Sequence, residues 1–277
     1  MKTPSANSST TTVLFLTDPH LDRTAEDKIA CLLRRIRSAE SDVVLITGDI
    51  SDAHNLRRHL GLLAEACAPR PLYFLLGNHD YYGGDFHGVA TDVKDLCGSI
   101  GNLHHLDGSG VIRLSVGVGL LGHGGWADAR AGDGLETTVQ SRDCGSIADF
   151  RNLDHRQTLD RMRSLGVESA DKIRSIFPLA LTCYRHVIVA THVPPFHNAV
   201  LHNGKPADHR YLPHFCNLSV GVMLVGIMRA YPRRHVTVLA GHSHGAFAKN
   251  MTRNLSVRVG ASRVNGLIPF ELLRFAA

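Results

Sequence analysis

Seven Asp, Asn and His side chains, each placed just beyond a short apolar run, carry the clearest chemical meaning in this sequence. They are Asp18, His20, Asp49, Asn78, His192, His242 and His244. Carboxylate, amide and imidazole donors without a thiolate suit Mn, Fe, Zn, Co or Ni, and they disfavour a Cys-rich zinc site or an all-oxygen calcium site. Seven ligands are too many for one ion but suffice for two if one carboxylate bridges them. The set therefore predicts two divalent or trivalent metal ions.

The spacing of these residues also has a physical reason. Asp18 and His20 are two positions apart, as are His242 and His244. Because side chains at i and i+2 of an extended segment point the same way, Asp18 and His20 could bind one ion together. The second pair could do likewise or serve one metal each. A glycine stands directly before Asp49, Asn78 and His242. Glycine allows the sharp turns that would bring a strand end over a metal.

Five short apolar runs must position these side chains. They cover residues 13–16, 43–46, 72–76, 187–190 and 236–240. Each run is rich in Val, Ile or Leu and is bounded by breakers, which is typical of a fully buried strand. In layered α/β proteins, ligands bind outside the carboxyl ends of the strands. We therefore expect the seven side chains, remote in sequence, to meet at one edge.

Helical patterns lie between these runs and indicate an α/β layered architecture. The predicted helices cover residues 26–39, 56–66 and about 155–184. Thr24 with Asp27 resembles a capping box for the first helix. Pro178 is expected to kink or split the last helix.

Three other segments depart from this rhythm. Residues 247–250 and 255–259, separated by a polar turn, predict a β-hairpin. The longest apolar stretch, residues 218–228, is too short to cross a bilayer and predicts a buried helix. Residues 122–183 are expected to form a lid or insertion over the site, where substrate choice would be decided.

Bulk composition limits the class of protein. The 277 residues suit one large domain or two small ones, and 44% hydrophobic with 20% charged residues is typical of a soluble globular protein. The net charge of +5 fits an anionic substrate without demanding nucleic acid. Six scattered cysteines without a C-x-x-C pair favour a reduced, cytoplasmic protein with no membrane partner. Residues 1–12 lack the apolar core of a signal peptide and are expected to be disordered.

The order of the motifs resembles the calcineurin-like metallophosphoesterase superfamily. The series is D-x-H from Asp18, G-D from Gly48, G-N-H-D from Gly77, a lone His192 and G-H-x-H from Gly241. It extends over about residues 13–245, and each motif is weak alone but specific in this order. The resemblance implies a central β-sandwich of mixed sheets flanked by helices in αββα layers, within a single domain covering residues 13–277.

The resemblance also implies a role for each matching residue. Asp18, His20 and His244 would hold the first metal, Asn78, His192 and His242 the second, and Asp49 would bridge them. His79 would lie near the leaving group, and Asp80 would orient His79. A hydroxide shared by the two metals would attack phosphorus in line, and His79 would give a proton to the leaving oxygen.

Weaker candidates for substrate contact come from segment 122–183, which follows the apolar run 111–121, and from the loop after His192. They are His123, Trp126, Asp128, Arg151 and His197. Trp126 is the only Trp of the chain and could stack on substrate, but packing under its loop is the favoured interpretation.

These observations predict a phosphatase or phosphodiesterase that acts on a phosphorylated small molecule or a phosphoprotein. A nuclease is a second hypothesis. It should carry a long basic groove with aromatics, whereas aromatics make up only 6% of this chain and its basic residues are dispersed. A metal-binding scaffold without turnover is the third hypothesis, and the complete ligand set together with His79 argues against it.

Overall fold

The computed structural model describes residues 10–263 and 266–276. Its strands are β1 (Thr10–Leu16), β2 (Val43–Thr47), β3 (Leu72–Leu75), β4 (Leu103–His105), β5 (Ile112–Arg113), β6 (Val118–Gly122), β7 (His186–Ala190), β8 (Leu201–His202), β9 (Lys205–Pro206), β10 (His235–Ala240), β11 (Phe247–Thr252), β12 (Leu255–Val259) and β13 (Glu271–Ala276). Its α-helices are α1 (Glu26–Ser38), α2 (Ala53–Cys67), α3 (Phe86–Ser99), α4 (Asp143–Ser146), α5 (His155–Cys183), α6 (Leu212–Phe215) and α7 (Leu218–Met228).

Two mixed sheets form the centre of the molecule. The first has the order β13-β1-β2-β3-β4, with β1 to β4 parallel and β13 antiparallel to β1. The second has the order β11-β12-β10-β7-β6-β5, with four parallel central strands and antiparallel edges. The five strands predicted to carry metal ligands are β1, β2 and β3 in the first sheet and β7 and β10 in the second. Within each sheet these strands are parallel, so their carboxyl ends lie at one edge of that sheet.

Apolar side chains on both faces of each central strand explain the unbroken apolar runs in the sequence. In β1, Val13 and Phe15 belong to the core between the sheets, whereas Leu14 and Leu16 belong to the core under the helices. Ile188 of β7 and Leu239 of β10 meet them from the other sheet. Successive strand residues point to opposite faces, so burial of both faces requires a continuous apolar run.

Helices cover the outer faces of both sheets and complete the αββα layers. Residues of α1, α2 and α3 pack on the first sheet in one core cluster, and residues of α5 and α7 pack on the second sheet in another. The predicted fold class, a β-sandwich of mixed sheets flanked by helices, is confirmed. The predicted hairpin is also present, as antiparallel β11 and β12.

The predicted capping box at Thr24 is wrong. Helix α1 has Ala25 as its N-cap, and no side chain caps it. The Thr24 hydroxyl instead lies 3.3 Å from the Pro19 carbonyl and 3.0 Å from the His20 carbonyl, to which it donates. The hydroxyl is directed back into the preceding loop, so it cannot serve the helix N–H groups.

Pro178 does not split the long helix either. Helix α5 runs without interruption from residue 155 to residue 183, with Pro178 inside it. Its neighbours Phe177, Ala180 and Leu181 are buried against the second sheet. Packing on both sides of the proline holds the helix together despite the missing backbone donor.

Three expectations about segments also need correction. Residues 155–183 are not a lid, because α5 is the crossover between the parallel strands β6 and β7 and packs on their sheet. Helix α7 is only partly buried, since Val222 is 74% exposed. At the N-terminus, residues 10–12 belong to β1 rather than to a disordered tail, and residues 1–9 lie outside the described residues.

Candidate metal centre

The structure brings the seven predicted ligands together at the carboxyl ends of the two sheets. Ligand atoms of Asp18, His20, Asp49 and His244 all lie within 4.8 Å of one another, as do those of Asp49, His192 and His242. Asn78 Oδ1 lies 3.2 Å from His192 Nε2, beside the second group. Asp49 belongs to both groups, which is the position that a bridging carboxylate requires.

Distances in the first group fit a shared cation. The Nε2 atoms of His20 and His244 are 3.1 Å apart, and His244 Nε2 is 3.4 Å from Asp18 Oδ1. Ligands bound to one ion at about 2.1 Å lie roughly 3.0–3.4 Å apart in octahedral or tetrahedral geometry. Two imidazole nitrogens and a carboxylate oxygen at this separation therefore form a donor set that a metal ion fits.

In the second group, hydrogen bonds select the ring nitrogen of each histidine that faces the site. His192 Nδ1 donates to the Thr47 carbonyl at 2.7 Å, and His242 Nε2 donates to the His214 carbonyl at 2.9 Å. A carbonyl can only accept, so the other nitrogen of each neutral ring keeps its lone pair for a metal. His192 Nε2 lies 3.3 Å from Asp49 Oδ1.

Five of the seven ligands have a backbone conformation that residues other than glycine rarely adopt. Asp18, His20, Asp49, His242 and His244 all have φ between +42° and +68°. Hydrogen bonds between neighbouring loops hold this conformation, including Asp18 N to Gly48 O and His20 N to Asp49 O, each at 3.0 Å. Such strain clusters at functional sites because the surrounding structure must enforce it.

The glycines before the ligands act mainly by making room. A Cβ on Gly77 would overlap Asp49 Oδ1 and lie 2.6 Å from the His192 ring. A Cβ on Gly241 would overlap the Thr17 hydroxyl and the Asp18 carboxylate. Only the glycine before Asp49, Gly48, has a positive φ, +97°. The expectation of sharp turns therefore holds for that glycine, whereas the other two permit close approach.

Burial and neighbouring charge shift the pKa values of the ligands in different directions. Burial lowers the pKa of His20 and of His242 to about 4, which keeps both imidazoles neutral and able to bind a cation. Burial raises the pKa of the Asp49 carboxyl well above its usual range, and the charge of Asp18 adds to this. Burial also acts to raise the pKa of Asp18, but nearby imidazoles, first that of His244, outweigh it and lower that pKa. Cations between the two carboxylates would stabilise both in ionised form.

His79 lies beside the ligands, but Asp80 does not orient its ring. The Asp80 carboxylate accepts from the backbone N–H groups of Ile50, Ser51 and Gly77, at 2.8–2.9 Å, and so ties two ligand loops together. The predicted role of Asp80 is therefore wrong, because its buried carboxylate is used by backbone donors. The His79 ring is stacked on Tyr82, with centroids 4.2 Å apart, and burial lowers its pKa well below the ordinary value.

A cleft of about 860 Å³ opens over the ligands. Its lining includes His79, Tyr82, Arg142, Tyr211 and Arg263, of which only His79 was predicted. Tyr82 follows the G-N-H-D motif by two residues, so proximity could have suggested it. The others come from loops without a strand pattern, and the sequence carries no signal that points to them.

The weaker candidates for substrate contact do not line this cleft. Trp126 is 7% exposed and packs against Phe86 and Phe150. Asp128 is fully buried, and its Oδ2 accepts from the N–H and hydroxyl of Ser219 at the start of α7. Trp126 is therefore buried by apolar packing, and Asp128 is buried because it accepts hydrogen bonds at the N-terminus of α7.

The remaining candidates also lie outside the cleft. His123 Nδ1 accepts from Gly125 N at 3.1 Å, within its own turn, and Arg151 and His197 are exposed. Segment 139–143, in contrast, contributes to the cleft wall, so the part of the expected lid that reaches the site is short. No helix within the described ranges is long and apolar enough to cross a membrane.

Comparison with known proteins agrees with this geometry. Residues 11–246 match the family model of the calcineurin-like phosphoesterases. A bovine (Bos taurus) transmembrane protein with metallophosphoesterase domain is 35% identical over 85 residues, which are 30% of this chain and only 19% of that protein. The match thus spans about a fifth of the length of this relative.

Two solved structures share the fold. A dimetal phosphatase from Danio rerio superposes with a TM-score of 0.55 and 14% identity, covering 93% of this chain and 88% of that one. The protein TT1561 of Thermus thermophilus gives a TM-score of 0.55 and 12% identity, covering 91% and 89%. Because the family model covers most of the chain and the site holds buried His and Asp donors for two metals, the chain belongs to the calcineurin-like phosphoesterases, a family of metal-dependent phosphoester hydrolases.

Proposed function

We propose that this chain binds two cations and acts as a phosphatase or phosphodiesterase on a small phosphorylated molecule. The observation that carries the proposal is the pair of ligand groups that share Asp49. Imidazoles and carboxylates make up these groups, with no thiolate among them, and such a set fits Mn, Fe, Zn, Co or Ni. When bound, the two cations would supply Lewis acidity, which lowers the pKa of water and offsets charge on phosphate oxygens.

His79 is the residue that we assign to the leaving group. It lines the cleft, and its Nε2 lies 3.9 Å from Asp49 Oδ2. Its Nδ1 is buried and has no hydrogen-bond partner among the described residues. Nε2 is therefore the atom that would exchange a proton with a bound ester. The negative charge of the ester would favour the protonated ring, which could then give a proton to the departing oxygen.

The shape and charge of the cleft support a small anionic substrate. Its volume of about 860 Å³ falls in the range of small-molecule sites. Arg142 and Arg263 line it and are exposed, and within the ranges that the structure describes neither has a carboxylate within 4.0 Å. Two unpaired guanidinium groups suit a phosphate ester. A phosphoprotein remains an alternative substrate.

The cysteines support a reducing compartment, and we propose a cytoplasmic location on this basis. All six are free thiols, and Cys67 and Cys216 are buried. Disulfides are rare in the cytosol, where thiols are kept reduced.

The decisive experiment compares hydrolysis of p-nitrophenyl phosphate with that of bis-p-nitrophenyl phosphate. The full chain is stripped with a chelator and reconstituted with Mn²⁺, and Asp49→Asn is assayed beside it. We expect Mn²⁺-dependent turnover that falls at least about 100-fold in Asp49→Asn, because the bridging carboxylate is lost. The ratio of the two rates identifies the monoester or diester preference.

Asp133→Asn is the matched control for this experiment. It removes an exposed carboxylate outside the cleft and should leave turnover unchanged. If neither ester is hydrolysed while two Mn²⁺ ions are bound, the phosphatase proposal is wrong. Single-stranded DNA would then test the nuclease hypothesis, and inertness towards all three would favour a scaffold.

A further inference from the structure

Asp143 is a buried carboxylate beside the second ligand group. The proposed chemistry gives this carboxylate no role. Asp143 begins α4, in the segment between β6 and β7, and is 6% exposed. Its Oδ1 accepts from Asn78 Nδ2 at 2.9 Å and from the Tyr82 hydroxyl at 2.8 Å. These contacts join three residues that no sequence motif connects, since Asp143 is 65 positions from Asn78.

The hydrogen bond from Asn78 fixes which way its amide faces. With Nδ2 bound to Asp143, Oδ1 lies on the side of His192 Nε2, 3.2 Å away. An amide oxygen can bind a metal, whereas an amide NH₂ group cannot. Nδ2 also donates to the Tyr82 hydroxyl, over a longer 3.3 Å. Removing the Asp143 acceptor would leave only this long contact to hold the amide, which could then rotate and present the wrong atom.

Asp143 also has no cation to balance its charge. Among the residues that the structure describes, no Lys, Arg or His nitrogen lies within 4.0 Å of its carboxylate. Both of its hydrogen-bond donors are neutral, so a buried negative charge remains uncompensated, which is costly unless a cation is near.

The second ligand group, in turn, lacks negative charge. Asn78, His192 and His242 are neutral donors, and the only carboxylate in the group, Asp49, is shared with the first group. A divalent ion held by these four residues would receive at most part of one negative charge. Asp143, in hydrogen-bond contact with one of the ligands, supplies the missing charge at short range.

We infer that Asp143 is a positioning residue for the second metal, because it orients Asn78 and adds the negative charge that the ligands lack. The inference rests on the proposed two-metal function. Tyr82 extends the same network, because its hydroxyl donates to Asp143 and its ring is stacked on His79 with centroids 4.2 Å apart. One carboxylate thereby holds both a metal ligand and the packing surface of the candidate proton donor.

The test is Mn²⁺ binding to the chelator-stripped full chain, measured by isothermal titration calorimetry together with metal content. We expect two bound Mn²⁺ in the wild type. In Asp143→Ala the second site should weaken by about 10- to 100-fold while the first keeps its affinity. Asp143→Asn keeps an acceptor for Asn78 but loses the charge, so it should weaken the second site by a smaller factor. Tyr82→Phe keeps the carboxylate and should change the affinity by less than about threefold.

A second measurement separates positioning from general damage to the fold. Excess Mn²⁺ should restore hydrolysis in Asp143→Ala, whereas a misfolded protein would not recover. If Asp143→Ala does not fold by circular dichroism, the isosteric Asp143→Asn decides the matter. Asp133→Asn is the control and should bind both ions as the wild type does.

The outcomes separate this inference from the proposed function. Unchanged affinity of both sites in Asp143→Ala and Asp143→Asn would overturn the inference alone and leave the two-metal hydrolase standing. A wild type that binds fewer than two Mn²⁺ would overturn both.

Discussion

At the scale of single residues, the centre depends on strained backbone. Five of the seven ligands have positive φ although none is glycine, and each such residue costs on the order of 1–3 kcal/mol. Asp80 offsets part of this cost, because its carboxylate collects three backbone N–H groups from the loops that carry Asp49 and Asn78. These hydrogen bonds hold the loop of Asp49 and the loop of Asn78 against each other.

His79 separates metal binding from catalysis at this scale. We expect His79→Asn to lower the Mn²⁺-dependent kcat by about 10²- to 10⁴-fold, the contribution of a positioned proton donor. Two Mn²⁺ ions should remain bound, because His79 is outside both ligand groups. Steady-state kinetics measure the fall in kcat, and metal analysis measures the number of bound Mn²⁺ ions.

An exposed histidine supplies the control for this substitution. His87 lies on α3, and His87→Asn should leave both quantities unchanged. Full turnover in His79→Asn would show that another group protonates the leaving oxygen.

At the scale of elements, the long helix α5 begins with a true capping box. The Asp154 side chain accepts from Gln157 N at 2.8 Å, and the Gln157 side chain accepts from Asp154 N at 2.9 Å. We expect Asp154→Ala to lower the free energy of unfolding by about 1 kcal/mol, because the N-terminal N–H groups of the helix lose their side-chain acceptor. Urea unfolding followed by circular dichroism measures this loss.

The control for this helix is an exposed residue in its interior. Glu168 is exposed, and Glu168→Ala should change the unfolding free energy by less than about 0.5 kcal/mol. Equal losses in the two variants would contradict a specific contribution from the cap.

At the scale of the whole molecule, the metals would join the two sheets of the sandwich. Asp18, Asp49 and Asn78 follow strands of the first sheet, whereas His192 and His242 follow strands of the second. Ions that bind only this folded arrangement stabilise it by mass action, at about 2.7 kcal/mol per site when free metal is 100 times Kd. Chelation should therefore lower Tm by roughly 5–10 °C in differential scanning calorimetry.

Asp49→Asn tests whether this stabilisation comes from the shared centre. Its Tm should rise far less with Mn²⁺ than that of the wild type, because both ligand groups include this carboxylate. Identical wild-type Tm values in Mn²⁺ and in chelator would exclude a metal that links the sheets.

The sequence by itself determined the five strands that carry the ligands, the hairpin and the order of the ligand motifs. The αββα fold followed from the resemblance that these ordered motifs carry. Because both faces of β1 and β7 are buried, these strands are unbroken apolar runs in the sequence. The ligands follow shortly after their strands. Such information is local, so one sequence contains it. Thr24 before α1 and Asp154 before α5 carry similar short-range signals, and only the observed hydrogen bonds show that Asp154 alone of the two forms a capping box.

Only the tertiary structure decided what stands around the ligands. Asp143 reaches Asn78 across 65 positions, Arg142 and Arg263 meet at one cleft, and Asp80 turns away from His79 towards backbone donors. Trp126 is withdrawn into an aromatic core rather than offered to substrate. These outcomes depend on how loops from different elements pack in three dimensions, and no periodicity or spacing along the chain records such contacts.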